Sequence, residues 1–183
     1  NTHRGAIFSL GLLVASASAY RQSSGTTPTG EQVCEGVRQW AHALGAAPLD
    51  PHSPGQRARV RHGVAGVREE AAAGYPVLRT LALPTLRHAI AAGLSREAAL
   101  CHTLMHLVAH VDDLNLLHRG GAEGLHWARE QATGFIDGGG AFAPGWRARL
   151  QSICDAFAAR RLSPGGSADL LACSWFLLQQ EGA

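Results

Sequence analysis

Apolar residues recur along this chain at helical spacing and almost nowhere in strict alternation. The clearest stretch follows Ser95, where Leu100, Leu104, Leu107 and Val111 are separated by four, three and four residues. That spacing predicts one buried helix face, with Ser95 as the cap. Thr29-Gly30-Glu31-Gln32 has the form of a capping box and predicts a helix over residues 29–44, stopped by Gly45. Ser53-Pro54 predicts a second capped start, running to about Val64. A short helix over 68–73 should end at Gly74, and Pro76 opens a segment that Pro84 divides. Further helices are predicted over 122–136 and 144–161, separated by Gly138-Gly139-Gly140, and from Ser167 to about Gln180. No hairpin signal lies between β-branched runs. The expected fold is all-α, a multi-helix single domain over residues 1–183 with functional loops at helix ends.

Composition narrows the function classes. Of the 183 residues 46% are hydrophobic and 16% charged, which suits a packed core and excludes a disordered chain. A net charge of +2 is too even to drive binding to nucleic acid. All 16 basic residues are Arg, so phosphate has to be held by guanidinium groups or backbone rather than by a P-loop lysine. Cys34, Cys101, Cys154 and Cys173 form no C-x-x-C pair and read as buried free thiols, or as two disulfides if the protein is secreted. The apolar run over 6–14, followed by small residues, imitates a secretory signal, with an ordinary buried helix as the other reading. It is too short to span a bilayer.

Three segments concentrate chemistry. Residues 112–121, Asp-Asp-Leu-Asn-Leu-Leu-His-Arg-Gly-Gly, follow the most apolar helix. Adjacent carboxylates at a helix C-terminus repel each other and the negative end of the dipole, so a cation such as Mg²⁺ on Asp112 and Asp113 would relieve both. Residues 162–169, Leu-Ser-Pro-Gly-Gly-Ser-Ala-Asp, precede the last helix. There Gly165 and Gly166 permit close backbone approach and free N–H groups could receive phosphate, with Ser163, Ser167 and Asp169 explained equally by capping. Asn1-Thr2-His3-Arg4-Gly5 places an Arg beside a third helix start. Separately, His102, His106 and His110 recur every four residues on one helix. They could ligate a metal in a His-based bundle, but the glutamate of an H-E-x-x-H site is missing, and surface imidazoles are the expectation.

In their order and wording these segments resemble the triphosphoribosyl-dephospho-coenzyme A synthase family, almost from end to end. Residues 1–11 are similar to the family's N-T-H-K-G-A-I-F-S-L-G stretch, with Arg4 for the usual Lys. Residues 70–76 are similar to E-A-A-x-G-F-P, 112–121 to D-D-T-N-x-L-H-R-G-G with Leu114 for Thr, and 162–172 match L-S-P-G-G-S-A-D-L-L-A throughout. An N-terminal part of the pattern, containing a T-P-K-P-G-L-V-D-like motif, is absent. The resemblance therefore implies the C-terminal part of a longer catalytic domain. The histidine stripe is not in the pattern.

The resemblance implies a cytoplasmic enzyme that moves the triphosphoribosyl group of ATP to the ribose 2′-hydroxyl of 3′-dephospho-CoA and releases adenine. Its product would be destined for an acyl carrier protein of citrate lyase or malonate decarboxylase, with neither nucleic acid nor membrane as partner. On this reading Asp112 and Asp113 hold Mg²⁺ on the triphosphate, and Arg4, Arg119 and the Gly165-Gly166 backbone grip phosphate oxygens. Asn1, His3, Asn115, Ser163 and Ser167 complete the substrate contacts. Asp169 or His118 deprotonates the acceptor hydroxyl, and Glu70 faces the ribose.

Overall fold

The computed structural model describes residues 4–48 and 54–182; among these there are helices and turns but no strand. The all-α expectation holds. Ser53, the expected cap, lies outside the described residues. The first helix, α1 (Arg4–Ser24), runs well beyond the apolar stretch. It buries Ser9, Leu13, Ser16 and Ala17 as an ordinary core helix does. The Thr29 box forms as the sequence predicts, Thr29 accepting from Gln32 N–H and Gln32 returning the bond to Thr29 N–H. The helix it opens is shorter than expected: α2 (Gly30–Gly36) tightens into a 3₁₀ turn (Val37–Trp40) before α3 (Ala41–Ala46). The tight approach at Gly36, where a Cβ would stand 2.4 Å from Ser16 Oγ, brings α2 onto α1.

After α4 (Pro54–His62) and α5 (Val67–Ala72), the backbone turns at Gly74 (φ 73) and Tyr75 (φ 51). Pro84 does not divide the following segment. A π-helical turn (Leu78–Ala82) leads directly into α6 (Leu83–Ala91), with Pro84 in its first turn. The wider turn gives the proline ring room against the preceding carbonyls. Next come α7 (Arg96–His110), capped by Ser95 as predicted, α8 (Leu114–Asp137), α9 (Trp146–Ala159) and α10 (Gly165–Glu181).

The core has two main parts. Leu13, Val33, Val37, Leu78, Leu83, Cys173 and Leu177 close the space between α1, α2, the π turn and α10. Met105, Val108, Leu116, Leu125, Ala132, Phe135 and Phe157 close that between α7, α8 and α9. Helix α7 serves both, through Leu107 on one side and Met105 and Val108 on the other. It is the central helix, and this overturns the expectation of a partly exposed surface imidazole at His102, whereas half-buried His106 and exposed His110 keep to it. His102 is only 8% exposed. It lies beneath the Gly140–Phe142 turn, where its Nδ1 accepts Ala141 N–H (3.4 Å). With Nδ1 an acceptor, the neutral ring carries its hydrogen on Nε2 and donates to His106 Nε2, 3.2 Å away. Only His110 is exposed. Among the described residues no three His, Cys, Asp or Glu side chains gather as metal ligands.

The histidine pair makes folding sensitive to mild acid. Burial pushes both imidazoles below their usual value, His106 to about 4, and His88 on α6 adds to the effect on His102. Between about 6.5 and 4 the unfolded chain therefore binds more protons than the folded one. Stability should fall as pH drops through this window and gain little above pH 7. The melting temperature followed from pH 7.5 to 4.5 checks it. His106→Gln is expected to flatten the profile, and an equal slope in that variant refutes the assignment.

The four thiols are free: Cys34 and Cys173 are buried, Cys101 is half-buried and Cys154 exposed. Burial pushes Cys34 and Cys173 up to about 12, which leaves them inert. No helix among the described residues is long and apolar enough to cross a membrane.

Candidate functional site

The motif at 112–121 is not a loop at a helix C-terminus, as the sequence suggested. Helix α7 ends at His110, and Asp113 caps the start of α8, so that Asn115, His118 and Arg119 ride on its first two turns. Asp113 Oδ1 accepts Asn115 N–H (2.9 Å) and Leu116 N–H (3.3 Å). An acid at this end is favoured by the helix dipole rather than opposed by it. Gly121 (φ 63, ψ −163) breaks the helix in a conformation that suits glycine, before α8 resumes.

The other oxygen of Asp113 reaches a second helix. Its Oδ2 accepts both the N–H (2.8 Å) and the hydroxyl (3.0 Å) of Ser167 in the first turn of α10. That helix begins two residues earlier than predicted, at Gly165, and has no side-chain cap of its own. One carboxylate, 1% exposed, thus caps two helices. The glycines make the approach possible: a Cβ on Gly165 would lie 2.7 Å from the Asn115 amide, and one on Gly166 3.3 Å from the Asp113 carboxylate. On α8, a Cβ on Gly120 would lie 2.7 Å from Leu162, so this glycine admits the strand of chain that carries Ser163. Arg119 closes the same seam with a long contact to the Arg161 carbonyl (3.5 Å).

Helix α1 adds a third start. It runs parallel to α10, with Gly5 beside Asp169, Ser9 beside Cys173 and Arg21 bonded to the Gln180 carbonyl. A Cβ on Gly5 would come within 2.2 Å of Asp169 Oδ2, which puts that carboxylate at the N-terminus of α1. The beginnings of α1, α8 and α10 therefore meet at one end of the bundle. Arg4, Asp113, Asn115, Arg119, Ser163, Gly165, Gly166, Ser167 and Asp169 are brought together there. The Gly165 and Gly166 amides donate to no group among the described residues. Paired helix starts with open N–H groups favour an anion. Asn1 and His3 lie outside the described residues.

Three expected members stand aside, His118 because it turns to the other side of α8. Asp112 is half-exposed and pairs with Arg129 (2.8 Å), away from Asp113's bonds. Glu70 accepts Val77 N–H (2.8 Å) beyond the Gly74 turn, and burial raises its pKa against the pull of that bond and of Arg79. Its link to the gathering is indirect, through Tyr75, which lies between Glu70 and the Ser9–Cys173 pair. The Tyr75 hydroxyl is buried beside Ser9 but reaches full hydrogen-bond geometry with no group among the described residues.

The expected Mg²⁺ pair does not fit. Asp113 spends both oxygens on four protein donors, which fills its acceptor positions, and Asp112 gives one oxygen to Arg129. Sequence reasoning also missed Arg57, Arg61 and His62 on α4, which with Leu117 and His118 line a pocket of about 440 Å³ on the other side of α8. The signal was present as three arginines and a histidine within the nine residues of α4, with no acid.

The sequence pattern of the family described as ATP:dephospho-CoA triphosphoribosyl transferase matches residues 1–183. A 2-(5''-triphosphoribosyl)-3'-dephosphocoenzyme-A synthase of Pectobacterium atrosepticum is 40% identical over 181 residues, 97% of this chain and 58% of its own length. A probable synthase of the same name from Citrobacter koseri is 41% identical over 98% of this chain and 60% of its own. The one from Klebsiella pneumoniae is 39% identical over 97% and 60%. The chain thus spans somewhat under two thirds of the length of these relatives. No solved structure matches it. With three helix starts meeting at the segments that carry the resemblance, and a match over all 183 residues, the chain belongs to the ATP:dephospho-CoA triphosphoribosyl transferase family.

Proposed function

We propose that this chain carries the site at which the triphosphoribosyl group of ATP passes to the ribose 2′-hydroxyl of 3′-dephospho-CoA. The observation that carries the reading is the meeting of α1, α8 and α10 at their N-termini, with the Gly165 and Gly166 amides open and Asp169 beside them. In the transfer the bond from the anomeric carbon to adenine N9 breaks, a bond from that carbon to the acceptor oxygen forms, and the hydroxyl proton ends on adenine. All three phosphates stay on the sugar. The protein therefore has to hold phosphate without activating it, which amides and guanidiniums do.

Arg4, Arg119 and the two glycine amides bind phosphate oxygens, and Asn115, Ser163 and Ser167 orient the sugar and its substituents. Positive charge builds on the ribose as adenine leaves, and the carboxylate of Asp169 stabilises it or takes the acceptor's proton. Asp112, exposed at the rim, adds negative charge, and His118 is the alternative base. Glu70, on the inner side of Tyr75, contributes at longer range. Asp113 fixes the helices rather than reacting. The product serves an acyl carrier protein, of citrate lyase or malonate decarboxylase, in the cytoplasm where both nucleotides are made.

The polypeptide encoded by the gene, incubated with ATP and 3′-dephospho-CoA, should release adenine and form a triphosphoribosyl adduct in equal amounts by chromatography. Adenine formed without acceptor, ADP or AMP formed in its place, or no adenine at all overturns the reading.

A further inference from the structure

The first two turns of α8 present different faces to different neighbours. Asn115 and Arg119, four residues apart, face the segment over 161–165. Leu114 packs toward Gly66, and Leu117 and His118 face α4, where they close the 440 Å³ pocket with Arg57, Arg61 and His62. One helix start therefore separates the gathering of N-termini from a second concavity, lined among the described residues by two guanidiniums, two imidazoles and a single apolar side chain.

Arg59, on another face of α4, is neutralised by Glu69, whereas among the described residues Arg57 and Arg61 form no ion pair and no acid lines the pocket. The two arginines stand one helical turn, about 6 Å, apart on the same side of α4. Like charges at this spacing destabilise a helix when nothing lies between them. An anion with oxygens distributed along a chain relieves that repulsion and accepts from both forks at once. Among the described residues Leu117 is the only apolar one in the lining, and these walls offer little to a base or an acyl chain.

We propose that the pocket between α4 and α8 binds the phosphate chain of an oligophosphate ester, held by Arg57 and Arg61 and flanked by His62 and His118. Resting on the reading of a two-nucleotide transfer, this places the phosphates of the two substrates on opposite sides of the α8 start. The triphosphate of ATP and the diphosphate of 3′-dephospho-CoA share the chemistry that fits, and experiment separates them.

Calorimetric titration of the gene-encoded polypeptide with inorganic tripolyphosphate, ATP and 3′-dephospho-CoA is the test. Arg57→Gln/Arg61→Gln should weaken tripolyphosphate at least tenfold with unchanged circular dichroism, and Arg57→Lys/Arg61→Lys should fall between. Whichever nucleotide loses affinity with it identifies the occupant. Arg147→Gln, at an exposed arginine on α9 paired with Glu97, serves as the control for general charge. Affinities within twofold of the parent in the Gln pair, an equal loss in the Arg147 variant, or no binding of any probe overturns the proposal. Adenine release is read separately. Release with an unaltered Gln pair sinks the pocket and leaves the transferase standing, whereas selective loss of tripolyphosphate binding without release does the reverse.

Discussion

Asp113→Ala should lower the unfolding free energy by about 3–5 kcal/mol and abolish transfer, a larger loss than any other single change at this end of the bundle. The substitution leaves Asn115 N–H, Leu116 N–H, Ser167 N–H and the Ser167 hydroxyl without their acceptor, in a place that is 1% exposed. A lost cap alone costs about 1 kcal/mol, and each donor left buried and unpaired adds about 1–3, partly recovered where water enters. Asp113→Asn separates the two helices that the carboxylate serves. Its oxygen still caps α8, but its NH₂ group meets the Ser167 N–H donor to donor. A loss of about 1–3 kcal/mol follows, with the Ser167 hydroxyl free to turn and accept. Urea unfolding measures both. Because the acceptor positions of Asp113 are filled, millimolar Mg²⁺ without nucleotide should leave the parent's melting temperature unchanged. An Ala variant within 1 kcal/mol of the parent, or a Mg²⁺ shift that Asp113→Asn removes, would show that the carboxylate holds a metal and not two helices.

What could be read in advance follows the range of the forces involved. The Thr29–Gln32 box and the Ser95 cap form as predicted because each is settled by residues three positions apart. The start of α10 was misplaced for the opposite reason: its capping acceptor is Asp113, 54 residues away, and no local rule reports it. The same distance reversed the electrostatics of the Asp-Asp pair, since residues 114–120 look like a loop until the chain over 161–167 packs against Gly120 and supplies a reason for α8 to begin at Leu114. In α7 the leucine spacing announced a helix correctly but could not say how many sides are covered. Burial of His102 depends on the Gly140–Phe142 turn folding over it. The motifs themselves were legible as words, and their meeting at one end needed the parallel pairing of α1 with α10.

That pairing sets up the sharpest separation of folding from chemistry. Gly5→Ala should cut adenine release by about 100-fold or more while leaving stability equal or slightly raised, as loss of a general base or charge stabiliser costs roughly 10²–10⁴ in rate. Gly5 lies in the first turn of α1 with ordinary helical geometry, so alanine is no worse a helix former there, and it reduces the freedom of the unfolded chain. The new methyl would nevertheless stand 2.2 Å from Asp169 Oδ2, which no pair of such atoms tolerates, and the short Asp169 side chain has to swing away. Asp169→Asn removes the charge without the clash and should fall by a similar factor. If both act through the one carboxylate, the double variant is no slower than the worse single, because a group already displaced cannot be lost twice. Multiplicative losses would mean that Gly5 matters for another reason, such as backbone approach to substrate. Near-normal turnover in Asp169→Asn would move the base to His118, on the pocket side of α8, and reverse which face of that helix receives the acceptor.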